Sequence, residues 1–364
     1  MTYKETLTFI ATCLTISLEE SNKAYIKQKL VSKDIDWDSV VKVSTAHYVF
    51  PALYCNLKRV AFLQFLPDEL VNYMQHITDL NRDRNIQIIA QAKELNTLLL
   101  ANNITPVFFK GTGNLLAGIY EDIAERMVGD IDFIFSEQDY PKAIKVICNF
   151  NYSKVDTEEY YLPPQKHYRR LQKENSIAAV EIHKEILIEN YAKEFNYTYV
   201  KKDCQVVDGV TVLSYANKLN ISILANQIND KGYYYKAMAL RNAYDVFLLS
   251  KKTNANLAVH SIQKLSTHLN CFLAACYQFF NNVSSLEYTS NKEVTSYLKR
   301  LNSQYQYPKI TKFRHQIIKS YFFIELRCQI INRAITTKGY LFLLYKRLTS
   351  KEWRQEKWHQ IVGN

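Results

Sequence analysis

The stretch of sequence that decides the fold reads FFKGTGNLLAGIYEDIAERMVGDID, from Phe108 to Asp132. The whole chain has only eight glycines, and four of them fall inside this window. Glycine lets a backbone turn sharply or lie against a ligand without a side chain in the way. The aspartates at 130 and 132 follow, and on a strand that spacing puts both carboxylates on one face. A glycine turn beside paired acids indicates a phosphate held next to a divalent metal ion.

Outside the window, the composition favours long helices over a many-stranded sandwich. The 364 residues include 27 tyrosines and 18 phenylalanines but only eight glycines and seven prolines, so residues that favour turns are scarce. Hydrophobic residues make up 48% of the chain and charged residues 22%. This balance is sufficient for a sizeable core and is unlike that of a disordered protein.

Apolar segments in and after the window predict a small sheet. The segments 104–109 and 131–135 are short strand candidates, with a helix predicted between them at 113–121. Ser136 is a candidate N-cap for a helix that runs through Cys148. Asp208-Gly209 is a predicted turn between Val207 and Val210, and one short strand is expected next to it. The remaining strand candidates are 152–155, 166–172 and 177–188.

Helical patterns flank this sheet on both sides. The run 69–100 has apolar residues at helical spacing and no Gly or Pro after Pro67. Six later segments show the same spacing: 219–228, 237–250, 257–280, 293–301, 312–334 and 340–361. We therefore predict an α+β fold, a small mixed-sheet core at 101–215 between an N-terminal helical region (1–100) and a C-terminal helical region with a basic tail (216–364).

Cysteine usage and hydropathy predict a cytoplasmic protein. The seven cysteines are an odd number without a CxxC pair, which is typical of buried thiols in a reducing compartment. No apolar run approaches the roughly 20 residues that a membrane-spanning helix needs. The first residues, MTYKE, lack the basic-then-apolar order of a secretory signal. We expect a cytoplasmic location and no transmembrane segment.

Positive charge is concentrated towards the C-terminus. The net charge is +11, and residues 301–364 contain twelve Lys or Arg against three Glu. Such a tail indicates nucleic acid or an anionic membrane surface as a partner, and solvated helix faces are an equal alternative. Apolar residues and cations are interspersed over 340–358, which fits an interfacial helix or a helix packed on its own domain. We expect packing.

Three acids are the candidate metal ligands. Asp130 and Asp132 form an acid-apolar-acid triplet, which alone is common by chance and also fits a strand with two solvated aspartates. Mg²⁺ takes carboxylate and phosphate oxygens, so two aspartates on one strand face can hold such ions beside a phosphate. Glu181, in the segment AVEIH, is the candidate third carboxylate of a two-metal site, although an exposed strand residue has the same pattern.

The glycine turn and the nearby basic residues are candidates for phosphate binding. The tetrapeptide KGTG at 110–113 lies at a strand-to-helix junction, where backbone N–H groups can bind an anion, but it has neither P-loop nor GxGxxG spacing. Lys110 and Arg126 can offset phosphate charge. Both also fit ordinary ion pairs with the acids of the window: Glu121, Asp122 and Glu125. His183 can orient Glu181 or touch the substrate, and a structural hydrogen bond is the alternative.

The order of these motifs resembles a known family. A Lys-Gly-small turn after an apolar strand, an Arg shortly before an Asp-hydrophobic-Asp strand, and an acid-hydrophobic-His strand are similar to the uncharacterised nucleotidyltransferase family. That family lies within the DNA polymerase β-like nucleotidyltransferase superfamily. The segments AHYVFPAL at 46–53 and LRNAYD at 240–245 are also similar to it, so the resemblance covers about residues 40–250.

The resemblance implies a mixed-sheet core in which acids bind Mg²⁺, or Mn²⁺, and the triphosphate of an NTP. Carried onto this chain, the catalytic metal ligands are Asp130, Asp132 and Glu181, where the third acid is more often Asp in the superfamily. Gly111 and Thr112 match the turn that holds the β- and γ-phosphates, with Thr in place of a smaller residue. The other implied nucleotide-binding residues are Lys110, Arg126 and His183.

Two functions follow from this pattern. In the first, a metal-dependent nucleotidyltransferase moves an NMP from an NTP to a hydroxyl of a protein, a tRNA or a small molecule and releases pyrophosphate. In the second, a non-catalytic module of the same fold binds nucleotide, or binds RNA through the basic C-terminal region. Three clustered carboxylates favour the first function, because they repel one another without a cation.

Overall fold

The N-terminal part of the chain is helical, as predicted. A computed structural model describes residues 1–32, 34–155, 166–350 and 354. The first five helices are α1 (Tyr3–Cys13), α2 (Glu20–Val31), α3 (Trp37–Ala46), α4 (Phe50–Arg59) and α5 (Asp68–Ala101). Pro67 directly precedes α5, and its 34 residues contain neither Gly nor Pro, so nothing interrupts the helical hydrogen bonds.

The middle of the chain forms a mixed sheet of seven short strands. Its elements in chain order are β1 (Val107–Phe108), α6 (Lys110–Leu116), β2 (Asp130–Ile134), α7 (Tyr140–Asn149), β3 (Ser153–Lys154), β4 (Leu171–Gln172), β5 (Ala179–His183), α8 (Tyr197–Val200), β6 (Gln205–Val207) and β7 (Val210–Val212). The strand order across the sheet is β3-β4-β5-β2-β1-β7-β6. Asp208 and Gly209, both with positive φ, form the predicted turn between β6 and β7.

Two helices of the core begin at residues other than those predicted. The helix expected at 113–121 begins at Lys110, and the Gly113 N–H already donates to the Phe109 carbonyl at 3.1 Å. Gly118, with a φ of 61°, follows its end. The helix α7 begins at Tyr140, after a turn in which the Ser136 hydroxyl accepts the Asp139 N–H, the hydrogen bond expected of an N-cap.

The C-terminal part of the chain is helical again. Its helices are α9 (Tyr215–Leu224), which runs into a π-helical turn (Ala225–Asn229), α10 (Gly232–Tyr235), α11 (Leu240–Ser250), α12 (Ala255–His260), α13 (Ser266–Phe279), α14 (Lys292–Gln306), α15 (Pro308–Thr336) and α16 (Tyr340–Thr349). The helix predicted at 340–361 is described only to 350 and at 354. None of the described helices is long and apolar enough to cross a membrane.

The helix expected at 257–280 is broken into α12 and α13. The Ser261 hydroxyl and the Asn220 amide both donate to the Ala258 carbonyl, at 2.7 and 3.0 Å. That carbonyl would otherwise accept the helical hydrogen bond from Ile262. These two side chains therefore end α12, and a short 3₁₀ turn (Gln263–Leu265) leads into α13.

Buried apolar side chains of the sheet and of both helical parts form one continuous core. The predicted fold class is confirmed: a mixed sheet is flanked by many helices in an α+β arrangement. The division of the chain at residues 100 and 215 stays a prediction. The expected packing of the last helix stays a prediction: among the described residues of α16 only Tyr340 is buried, and the others are half-buried or exposed.

Candidate active site

The pairing of β2 with β5 brings the predicted acids to one place. The two strands are parallel neighbours, and Asp132 is directly opposite Glu181 in their register. The residues on either side of these acids are apolar and fully buried: Ile131, Phe133, Val180 and Ile182. Because side chains alternate along a strand, burial of those four turns Asp130, Asp132 and Glu181 to the opposite face of the sheet.

On that face, Asp132, Glu181 and His183 form a compact cluster. One ligand atom from each residue can be chosen so that all three lie within 4.8 Å of one another. His183 Nε2 is 2.9 Å from Asp132 Oδ1 and 3.3 Å from Glu181 Oε2. His183 is fully buried and packs its ring edge-on against Phe109, with the ring centres 4.9 Å apart. The imidazole is therefore held against both carboxylates.

Lys110 supplies the positive charge of this cluster. Its Nζ donates to Asp132 Oδ1 at 2.6 Å and lies 3.6 Å from Glu181 Oε2. Burial disfavours the charged amine, but Asp132 and Glu181 outweigh it and raise the pKa of Lys110 above its ordinary value. The backbone of Lys110 has a φ of 52°, a left-handed conformation that is uncommon for a residue other than glycine and that recurs at functional sites.

Both carboxylates of the cluster are held in the ionised form. Burial would raise the pKa of Asp132, but Lys110 and His183 together lower it far below its ordinary value. Burial also opposes ionisation of Glu181, and a hydrogen bond from His183, together with the charge of Lys110, lowers its pKa. Two negative charges therefore face one fixed positive charge.

Asp130 lies beside this cluster but has a different partner. Its carboxylate forms an ion pair with the guanidinium of Arg170. Burial, together with the charges of Glu181 and Asp132, raises the pKa of Asp130 above its ordinary value despite that ion pair. The predicted trio of acids thus shares one face of the sheet, while the closest group of ligand atoms contains His183 in place of Asp130.

The glycine turn packs tightly beneath the acids. A Cβ on Gly113 would lie 2.7 Å from the Phe108 carbonyl oxygen, so only glycine allows α6 to approach β1 so closely. A Cβ on Gly111 would meet Val128 at 3.0 Å and Arg126 at 3.7 Å. The Thr112 hydroxyl donates to the Asp130 carbonyl at 2.7 Å, so a phosphate could receive its proton only if that bond broke.

Arg126 forms a buried ion pair that the sequence did not predict. Its Nε lies 3.1 Å from both carboxylate oxygens of Asp245, and Tyr120 donates to the same carboxylate at 2.8 Å. Burial opposes the charge of Arg126, yet Asp245 raises its pKa above the ordinary value. The expected partners lie elsewhere, since Glu125 and Glu121 pair with Arg59 and Asp122 with Arg82.

A small cavity adjoins Lys110 and is rich in basic side chains. It has a volume of about 160 Å³, and its charged lining residues are Lys110, Arg126, Lys166, Arg241, Asp230 and Asp245. Lys166 lines this cavity, where burial and the nearby Lys110 lower its pKa. Burial and Arg126 likewise lower the pKa of Arg241. Crowded, partly desolvated cations of this kind are suited to an anion.

Comparison with known proteins assigns this arrangement to a family. The sequence model of a family described as an uncharacterised nucleotidyltransferase matches residues 33–281. The chain belongs to that nucleotidyltransferase family. No curated protein and no solved structure matches the chain.

The matched region holds the whole candidate site and leaves both ends of the chain outside. The helices α1 and α2 precede residue 33, and α14–α16 follow residue 281. Charged residues of the site that the sequence did not single out include Asp230, Arg241 and Asp245. Arg241 lies in the segment 240–245 that had been noted as similar to the nucleotidyltransferase family, so a signal was present, whereas no sequence pattern marked Asp230.

The side chains present fit the divalent metal ion that nucleotidyltransferases generally use. Asp132 and Glu181 offer ionised oxygens, the ligands that Mg²⁺ and Mn²⁺ prefer, and His183 adds a nitrogen. Lys110 Nζ already lies among these atoms, 3.3 Å from His183 Nε2. The cluster therefore attracts a cation, and a metal ion bound by it would have to replace Lys110 at Asp132.

Proposed function

We propose that this protein is a metal-dependent nucleotidyltransferase that moves an NMP from an NTP to a hydroxyl of an acceptor and releases pyrophosphate. The observation that carries the proposal is that a cluster of acids lies directly beside a cavity lined by basic side chains. The acid cluster on β2 and β5 adjoins the cavity rich in basic side chains, and Lys110 belongs to both. Membership of the nucleotidyltransferase family supports the same activity.

Asp130, Asp132 and Glu181 are the proposed metal ligands, with His183 at the side of the last two. A divalent ion held there would polarise the α-phosphate and offset the charge that develops on it. The ion pair of Asp130 with Arg170 leaves its carboxylate on the same face as the cluster, so a small rotation of either side chain can redirect it. Mg²⁺ is the proposed ion, and Mn²⁺ suits the same ligands.

The basic side chains of the cavity are proposed to bind the triphosphate. Lys110, once displaced from Asp132, can follow the phosphates as a point charge, and Lys166 and Arg241 add further positive charge. Arg126 faces the same cavity from its pair with Asp245. Gly111 keeps the backbone beside Arg126 free of a side chain, and Thr112 fixes the start of β2 through the Asp130 carbonyl.

The site accommodates several classes of acceptor. A protein, a tRNA end or a small molecule can each offer the hydroxyl that attacks the α-phosphate. A cytoplasmic location agrees with the seven free cysteines of the chain. Binding of nucleotide without chemistry is the alternative function of the same fold.

The test is to incubate the protein with each α-labelled NTP, Mg²⁺ or Mn²⁺, and a lysate separated into protein, RNA and small molecules. We expect pyrophosphate release and label in one fraction. Asp132→Asn should lower the rate by about 10³-fold or more, because the site loses a charge that a metal ion needs. Direct titration with Mn²⁺, followed by electron paramagnetic resonance, should show weaker binding in the same variant.

The matched control is Asp208→Asn, the same acid-to-amide change in the exposed turn between β6 and β7. Asp208 has a φ of 48°, and asparagine tolerates that conformation well, so this variant should keep full activity. Full activity in a folded Asp132→Asn protein would refute the metal site. NTP binding without pyrophosphate release under either metal would instead establish the binding-only function.

A further inference from the structure

The helix α15 carries a regular stripe of exposed isoleucines. Ile310, Ile317, Ile324 and Ile331 occur at every seventh position and are 66%, 54%, 60% and 60% exposed. Seven residues are close to two turns of an α-helix, so the four side chains lie along one line of the helix surface. None of the residues of α15 is buried. This apolar line is therefore a surface of the molecule and not part of its core.

The opposite side of α15 attaches the helix to the rest of the protein. Phe322 packs edge-on against Tyr234, with ring centres 5.1 Å apart, and His315 Nε2 lies 3.1 Å from the Tyr235 carbonyl oxygen. Ile317 and Ile324 each follow one of these contact residues by two positions. Two residues are about 200° of helical rotation, so the isoleucines point away from the protein body.

The next helix extends the apolar surface. Leu341, Tyr345 and Leu348 of α16 are spaced four and three residues apart and are 62%, 66% and 46% exposed. Of the 28 large hydrophobic side chains that are exposed in the described chain, 13 belong to the segment 308–349. Monomeric soluble proteins rarely expose apolar side chains in such a concentration unless another surface covers them.

The same segment is strongly positive. Residues 308–349 contain nine Lys or Arg and a single acid, Glu325, so their net charge is +8. Arg327 is exposed and lies three positions after Ile324 and four before Ile331, and the exposed Lys309 directly precedes Ile310, so cations lie beside the line. An apolar stripe between cations is complementary to a surface that offers acyl chains below anionic groups.

Two other partners fit the segment less well. When two helices pair along a heptad stripe, the positions one residue before and four residues after each stripe residue usually carry opposite charges. On α15 these positions contain no acid: Lys309, Arg314, Gln316, Tyr321, Phe323, Cys328, Ile330 and Ile335. Two copies of α15 would thus bring like charges together. RNA would use the cations, but isoleucine can neither stack on a base nor form a hydrogen bond with one.

We propose that α15 and α16 bind the surface of an anionic lipid bilayer. The isoleucine stripe and the exposed residues of α16 enter the boundary between headgroups and acyl chains, and the flanking Lys and Arg side chains contact the anionic headgroups. Both helices lie beyond residue 281, so the surface is a feature of this chain outside the matched family region. The inference does not depend on the proposed activity.

The test is co-sedimentation of the full chain with vesicles. The protein should sediment with vesicles of phosphatidylcholine and phosphatidylglycerol in equal parts, less so as salt is added, and should stay in solution with phosphatidylcholine alone. The double variant Ile317→Asp/Ile324→Asp removes two exposed apolar side chains without touching the core. It should lower the partition coefficient by about tenfold or more.

The matched control is Leu80→Asp/Ile86→Asp on α5, where the two side chains are 54% and 53% exposed. It makes the same change of charge and apolar surface elsewhere, and it should bind vesicles as the unmodified protein does. Absence of vesicle binding, or equal binding by the α15 variant, would overturn the proposal. So would a dimer in sedimentation velocity that only the α15 variant dissociates, or RNA binding that only this variant loses.

Discussion

Two buried charge clusters lie next to the same cavity, and they differ in their balance. In the Arg126–Asp245 pair, one guanidinium meets one carboxylate, and Arg126 contacts both of its oxygens within 3.1 Å. In the cluster on β2 and β5, one ammonium, that of Lys110, faces the two ionised carboxylates of Asp132 and Glu181. Asp130 lies at the edge of this cluster and has its own partner in Arg170.

This difference separates a structural role from a chemical one. A balanced pair with all its hydrogen bonds made needs nothing further, and its charges hold the core of the fold in one arrangement. A cluster with more negative than positive charge is stabilised by an additional cation, and a bound metal ion can supply that cation. Experiments that remove one charge from each cluster should therefore have different consequences.

The largest effect on stability should come from breaking the balanced pair. Asp245→Asn leaves the guanidinium of Arg126 buried without an opposing charge, and Asp245 itself is only 2% exposed. Loss of one partner of a buried pair costs about 3–5 kcal/mol of the free energy of unfolding. Urea denaturation followed by circular dichroism measures this change.

The control for that experiment is again Asp208→Asn, whose side chain is exposed. Its unfolding curve should overlay that of the unmodified protein. Asp132→Asn should cost less than Asp245→Asn, because it removes charge from a cluster that has an excess of negative charge. A loss below about 1 kcal/mol in Asp245→Asn would contradict the structural role given to the pair.

The next effect concerns His47, which anchors the helix that carries Asp245. The His47 Nδ1 atom accepts the N–H of Leu240 at the start of α11, and burial lowers the pKa of His47 to about 4. The unfolded chain binds the proton near pH 6.5, before the folded protein does. Stability from neutral His47 is therefore complete above pH 6.5 and is lost as pH falls towards 4, by up to about 3 kcal/mol.

The measurement is the free energy of unfolding between pH 7 and pH 4 for the unmodified protein and for His47→Gln. The variant lacks the titrating group, so the difference between the two curves should shrink as pH falls. The same substitution at the exposed His76 is the control and should follow the unmodified protein. A constant difference across this pH range would show that His47 does not couple the proton to folding.

The sequence predicted the acids of the candidate site better than it predicted the partners of its basic residues. Alternation along β2 placed Asp130 and Asp132 on one face, because strand periodicity depends only on local spacing. Glu181 joins them through the pairing of β2 with β5, which the structure supplies. The partner of Arg126 could not be predicted in this way, since Asp245 is 119 residues distant and meets Arg126 only after α11 packs on the core. The three acids that were expected as its partners pair with other arginines, Glu121 and Glu125 with Arg59 and Asp122 with Arg82.

The surfaces of the C-terminal helices show the same limit. Spacing predicted helices close to α14 and α15, because helical periodicity is also local. Whether an apolar stripe faces the core or the solvent depends on which side of the helix meets the body. On α15 that side contains His315 and Phe322, and the more apolar isoleucine side is left exposed.

The smallest effect should come from removing the fixed cation of the unbalanced cluster. Lys110→Met keeps much of the side-chain length but takes away the ammonium that donates to Asp132 at 2.6 Å. A metal ion then no longer competes with Lys110 for that carboxylate or feels its positive charge. We expect Mn²⁺ to bind about tenfold more tightly, a change of about 1.4 kcal/mol, while nucleotide binding weakens because a phosphate contact is lost.

Calorimetric titration with Mn²⁺, and then with an NTP, measures both changes in one preparation. The control is Lys251→Met. Lys251 pairs with Glu19, and neither residue belongs to the cluster. That variant should leave both affinities unchanged. If Lys110→Met bound Mn²⁺ more weakly, the ammonium would be supporting the metal ligands instead of competing for them. The site would then resemble the Arg126–Asp245 pair, and the contrast between the two clusters would fail.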